Sequence, residues 1–169
     1  SKYIRIRDRI ARDLAGKGIA FVRPEKAREA DILLVHTREY LDKLKNGTLS
    51  RGEISRLELP YSAELVEASL VCCGGTMLAS RIALEDGIGV HIGGGFHHAF
   101  PDHGEGFCVL NDIAVAIRVI IAEGRIARAL VIDCDLHHGN GTARIFSGDR
   151  NVFTFSIHQE NNYPFYKPK

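Results

Sequence analysis

Apolar residues change their spacing part-way along this chain, and the change separates two kinds of structure. Ile6, Ile10 and Leu14 recur every four residues, on one face of a helix that Gly16 and Gly18 bring to an end. Thr37 is placed to cap a second helix running through Leu44, with Tyr40, Leu41 and Leu44 as its apolar side. The stretch from Lys45 to Pro60, with Asn46, Gly47, Ser50 and Gly52, reads as a long loop that does not divide the chain. A long helix follows over Ala63 to Glu85, interrupted or tightly packed at Gly74-Gly75.

Beyond it the rhythm becomes strand and helix in turn. Gly89 to Ile92 is expected as a short strand running into glycines, and Asp112 to Glu123 as a helix apolar nearly all round. Ala129 to Ile132 is a continuous apolar strand, Thr142 to Phe146 a short helix, and Val152 to Ile157 another strand. Alternation of this kind implies an α/β fold: a mainly parallel sheet with helices on both faces. Ligands of such sheets bind beyond the carboxyl ends of the strands. The unusual residues lie there, at Gly93 to His98, Asp133 to His138, and His158.

Size and charge narrow the possibilities. The 169 residues suit one α/β domain spanning 1–169. The 22 basic and 21 acidic side chains nearly cancel, which argues against direct nucleic-acid binding by bulk charge. Arg5, Arg7, Arg9 and Arg12 resemble a basic stripe, but Asp8 and Asp13 interrupt it, as on a solvated helix face. No uninterrupted apolar run reaches membrane-spanning length; the best, Ile113 to Ala122, carries Arg118, so no membrane partner is expected. Residues 1–13 are too charged for a signal-peptide core. Cys72, Cys73, Cys108 and Cys134 form no framework, which points to reduced thiols and a cytoplasmic setting. A chain that starts at Ser1 and stops at Lys169 reads as a piece of a longer one.

The chemistry lies in two segments. In extended backbone Asp133, Asp135 and His137 share a face, with Cys134 and Leu136 on the other. Two carboxylates and an imidazole after an apolar strand need a counter-charge, and a divalent ion such as zinc accepts these donor types. Gly93-Gly94-Gly95-Phe96-His97-His98 delivers adjacent imidazoles at the end of a glycine turn, suited to a general base and an electrostatic partner near a metal. Asp133 and Asn140 can each hold the second ring nitrogen of one histidine. His91 reads as a core histidine within its strand, and His103 as a solvated loop residue, with a place on the site rim as the alternative.

Three ordered motifs, Gly93 to Ala99, Gly104 to Asp112 and Asp133 to Gly141, together resemble the histone deacetylase family of the arginase/deacetylase superfamily. Val35 to Leu41 and Phe155 to His158 are similar to its flanking patterns, and the Gly-Gly-Gly-Phe-His-His and His-Gly-Asn-Gly variants look closest to class IV members. The resemblance implies that Asp135 and His137 ligate Zn2+, and that His97 and His98 are the tandem catalytic pair, with His98 the general base. It places Asp133 behind His97, and Asn140 where some members carry an aspartate. Phe107 and Tyr163 become walls of a tunnel for an acylated lysine, with the Gly106 carbonyl a substrate acceptor. Asp133, Asp135, the His137 carbonyl, Ser156 and the Ile157 carbonyl correspond to a K+ site. Glu58 falls loosely near a substrate-gripping acid of some members.

The activity implied is zinc-assisted hydrolysis of an acylated amine, such as acetyl-lysine, an acetylated polyamine or another small amide. Family members are longer, and this chain matches neither their third zinc ligand, an aspartate, nor their carbonyl-polarising tyrosine. It is therefore expected to be the amino-terminal part of a deacetylase domain, incomplete at the C-terminal side of its sheet and inactive alone. The alternatives are a non-catalytic binding or regulatory protein that keeps the fold, and a manganese hydrolase of the arginase branch. The tandem histidines and Phe107 count against the latter.

Overall fold

The structure, a computed structural model, describes residues 2–168; Ser1 and Lys169 lie outside the described residues. Its elements run α1 (Lys2–Asp13), α2 (Glu29–Ile32), α3 (Arg38–Asn46), α4 (Arg51–Leu57), α5 (Ala63–Asp86), α6 (Asp112–Ala122), β1 (Ala129–Asp133), α7 (Asn140–Phe146) and β2 (Val152–Ser156). Thr37 caps α3 by accepting from the Tyr40 amide, as its sequence position predicts, and Gly47 closes the helix in a left-handed conformation. The region expected as a long loop holds α4. Ser50 accepts from the Glu53 amide while the Glu53 carboxylate accepts from the Ser50 amide, so two orphan donors are satisfied reciprocally.

The centre of the molecule is the packing of α5 on α6, with α3 against α5 and α2 against α6. Tyr40, Leu44, Leu57, Cys73, Leu110 and Val115 lie in this core. Gly74 and Gly75 do not interrupt α5. A Cβ at Gly74 would sit 1.8 Å from the Glu25 carbonyl oxygen, and one at Gly75 would sit 2.5 Å from the His91 ring, so both glycines admit chain crossing the helix. By length and composition α5, not Ile113 to Ala122, is the stretch that would suffice to cross a membrane. Here it packs as the helix beneath those crossings, with Val66, Cys73 and Met77 buried. At the other extreme α1 buries none of its residues, and Arg7 pairs with Asp8 and Arg9 with Asp13 as on a solvated face.

β1 and β2 pair in parallel, Ala129 opposite Val152 through Asp133 opposite Ser156. Ala129 and Val131 face a small core of Ala114, Phe146 and Val152 contributed by α6, α7 and β2. On the other face Leu130 and Ile132 are 59% and 62% exposed and Phe153 is 67% exposed, so helices cover one side of this two-stranded sheet and leave the second bare. The α/β arrangement is present, with that side open. Gly89 to Ile92 is not a strand: no neighbouring strand among the described residues offers it hydrogen bonds, so the segment runs as irregular chain along α5.

Candidate functional site

Three segments build the site, and buried polar side chains lock them together. Asp112, fully buried at the start of α6, accepts from the Gly95 amide at 3.1 Å and the Phe96 amide at 2.8 Å. The Thr76 hydroxyl of α5 donates to Asp112 and lies 2.9 Å from His91 Nδ1. His91 is therefore a polar support under the glycine turn, half-buried, rather than a core residue of a strand. Gly94 must be glycine here, because a Cβ would meet Asp112 Oδ2 at 2.5 Å.

Asn111 is the second lock. It caps α6 by accepting from the Ala114 amide, and its Nδ2 donates to the Ala99 carbonyl at 3.1 Å and to Thr142 Oγ1 at 3.0 Å. The Thr142 amide in turn donates to the His97 carbonyl at 3.0 Å. Gly141 lets α7 approach so closely, since a Cβ there would lie 2.3 Å from the Ala99 carbonyl oxygen. His36, buried behind this junction, accepts from the Asn111 amide at 3.0 Å.

The histidines emerge held from behind. His97 Nδ1 lies 2.5 Å from Asp133 Oδ2, and Asp133 Oδ1 accepts from the Asp135 amide at 3.0 Å. Burial pushes the Asp133 carboxyl upward, but hydrogen bonds from His97 and from the Asp135 amide outweigh it and keep the pKa below the usual aspartate value. His98 Nδ1 lies 2.7 Å from Asn140 Oδ1. Burial, reinforced by the neighbouring His97 charge, pushes His98 down to about 4, so the ring is neutral near pH 7 and can accept a proton. The two rings are 4.1 Å apart centroid to centroid.

Asp135 and His137 continue from the end of β1 and present Oδ1 and Nδ1 3.1 Å apart, half in solvent. Two donors on one tetrahedral zinc stand roughly 3.4 Å apart, so the pair fits two coordination positions in both spacing and donor type. Among the described residues no set of three or more His, Cys, Asp or Glu side chains could hold a metal, so this pair would be an incomplete set. The ring of His98 is 6.0 Å from that of His137, and His97 Nε2 is 3.8 Å from Asp135 Oδ1, so the tandem histidines and the candidate ligands are neighbours.

A tight turn sets the rim. Glu105 and Cys108 bond each other's backbone around Gly106 and Phe107, which both have positive φ, 52° and 66°. The turn is pinned to the end of α4, where the carbonyls of Arg56 and Leu57 accept from the Gly106 and Phe107 amides. Phe107 thereby stands out at 58% exposure, while Gly106 lies against Tyr163 and His98. The Gly106 carbonyl accepts a weak bond from the Cys108 thiol at 3.4 Å. Tyr163 sits edge-on to His98, 5.0 Å away, and its hydroxyl donates to Glu105. His103, expected to be solvated, instead stacks on Phe100 with its side chain 17% exposed. Ser156 and Ile157 lie beside Asp133 in the sheet: the Ile157 amide donates to the Asp133 carbonyl, and Ser156 Oγ is 2.9 Å from His158 Nδ1. The sequence places Asn111 or Asp112 only at the start of a helix, and gives no sign of the parts that Glu105 and Thr76 take in the site.

Comparison with known proteins decides the family. The histone deacetylase domain matches residues 1–168. This chain belongs to the histone deacetylase domain family. An uncharacterized protein of Picosynechococcus is 44% identical over 146 residues, covering 86% of this chain and 49% of that protein. Histone deacetylase 2 of Arabidopsis thaliana is 35% identical over 153 residues, covering 86% of this chain and 39% of that protein. A histone deacetylase homologue from Aquifex aeolicus superposes with a TM-score of 0.81 at 29% identity, over 96% of this chain and 46% of that one. The α/β fold is thus the deacetylase fold, and the chain spans less than half the length of these relatives.

Proposed function

We propose that these residues are the amino-terminal share of a zinc-dependent hydrolase site that removes an acetyl or other acyl group from an amine. Acetyl-lysine is the leading substrate, and an acylated polyamine or other small amide the runner-up. The observation that carries this is the convergence of two differently supported imidazoles on the Asp135–His137 pair. Zinc held by Asp135 and His137 would polarise the acyl carbonyl and acidify water. His98, neutral and held at Nδ1, accepts a proton at Nε2 and returns one to the departing amine. His97, held by the Asp133 carboxylate, stabilises the charge that develops beside it. Phe107 and Tyr163 flank the acyl-lysine stem, and the Gly106 carbonyl accepts from its amide. Asp133, Asp135, His137, Ser156 and Ile157 make the K+ position part of this reading, and the four free cysteines suit a cytoplasmic setting.

Because only two metal donors are supplied, the 169-residue chain alone should release no measurable acetate from an acetyl-lysine peptide with zinc added. Acetate release by the purified chain, abolished by a chelator and by His98→Ala, would overturn the incomplete-site reading. The bare face of Leu130, Ile132 and Phe153 favours a second role, as a fold retained for binding, only if metal never binds at Asp135 and His137.

A further inference from the structure

Glu105 lies outside every motif role so far described, yet one of its oxygens takes two hydrogen bonds inside the site. Oε1 accepts from Asn140 Nδ2 at 2.7 Å and from the Tyr163 hydroxyl at 2.9 Å, and the side chain is only 19% exposed. We propose that Glu105 is a positioning residue that fixes the proton of His98 through Asn140 and ties the same imidazole to the aromatic wall through Tyr163. This deepens the hydrolase reading and rests on it for its catalytic meaning.

Donors and acceptors fix the orientation of each group. An ionised carboxylate has nothing to donate, so the end of Asn140 that meets Glu105 must be its NH2. The opposite end is then the carbonyl, which the Gly141 amide, able only to donate, also requires at 3.0 Å. With that oxygen 2.7 Å from His98 Nδ1, the ring proton must sit on Nδ1, and Nε2 keeps its lone pair. A neutral amide alone holds an imidazole less firmly than an aspartate does. Here a carboxylate stands directly behind the amide and polarises it. The phenol of Tyr163 is kept protonated, first by burial and then by its bond to Glu105, so it remains a donor. Its ring is edge-on to His98 at 5.0 Å and to His137 at 6.1 Å, so one carboxylate oxygen registers the tunnel wall against both imidazoles.

The test reads the His98 tautomer, not turnover, so it can fail without touching the hydrolase reading. Long-range proton–nitrogen NMR of the unmodified chain should show His98 protonated at Nδ1 alone, with contacts between the Tyr163 ring and His98. Glu105→Gln, which keeps an acceptor, should preserve both signatures. Glu105→Leu, which fills the space without accepting, leaves Asn140 held only by the Gly141 amide, so the Nδ1–H signal should broaden and shift as the tautomer preference weakens, and the Tyr163 contacts should be lost. A role in packing alone predicts that Leu changes neither. Should the Leu variant fail to fold, Tyr163→Phe gives the second arm: the ring contacts weaken while the Nδ1–H signal stays. Finding His98 protonated at Nε2 in the unmodified chain, or both signatures intact in a folded Glu105→Leu protein, would overturn the proposal.

Discussion

Replacing Asn111 by alanine should cost this chain more stability than any exposed cap could. The side chain is fully buried and makes three hydrogen bonds, one to the Ala114 amide, one to the Ala99 carbonyl and one to Thr142. Loss of a helix cap costs about 1 kcal/mol, and each buried hydrogen bond contributes about 1 kcal/mol net, with more lost where an acceptor is stranded. The sum is about 2–4 kcal/mol, a large share of the roughly 5–15 kcal/mol that holds a domain folded. Urea unfolding followed by far-ultraviolet circular dichroism would read this as a lowered midpoint at unchanged slope. Asn111→Ser separates the parts: it keeps a cap acceptor but cannot span to both Ala99 and Thr142. It should recover about 1 kcal/mol relative to alanine and remain clearly less stable than the parent. An Ala variant that loses less than about 1 kcal/mol, or a Ser variant as stable as the parent, would refute the view that Asn111 fastens the histidine segment to α7.

Gly141→Ala should destabilise by about 1–3 kcal/mol, because its Cβ would press within 2.3 Å of the Ala99 oxygen and must part α7 from the histidine segment. Faster amide exchange at Thr142, whose N–H binds the His97 carbonyl, would report that parting; an unchanged rate would contradict it. His36 is pushed down to about 4 by burial, so below pH 6.5 the unfolded chain takes up its proton first. Its contribution is complete above pH 6.5 and is lost as pH falls toward 4. Unfolding measured across that window should show a shallower loss in His36→Asn than in the parent, and equal slopes would refute the assignment.

Much of the second half was legible because period and caps agree there. The expected strands and helices from Ala129 onward differ from β1, α7 and β2 by only one or two residues at their ends. That Asp133 and Asn140 would each hold one imidazole was legible from histidine chemistry, while the pairing of Asp133 with His97 and Asn140 with His98 was implied only by the family resemblance. α4 was hidden by its Gly and Ser content, although Ser50 and Glu53 stand at capping-box spacing. Gly89 to Ile92 has strand composition, but a strand also needs a neighbour to bond, which local sequence does not reveal. Gly74-Gly75 showed that something approaches α5, not that the approach would be the Glu25 carbonyl and the His91 ring. Glu105 carries no periodic signal between its two glycines, and its partners are 35 and 58 residues away.

Asp135 and His137, proposed as half a metal site, face the tandem histidines. Adding cobalt(II) to the chain and following the imidazole signals by NMR tests this without requiring turnover. The paramagnetic ion should broaden His137, His98 and His97 first, leave His36 sharp, and lose its effect in His137→Ala. Broadening centred elsewhere, or unchanged in His137→Ala, would contradict the account.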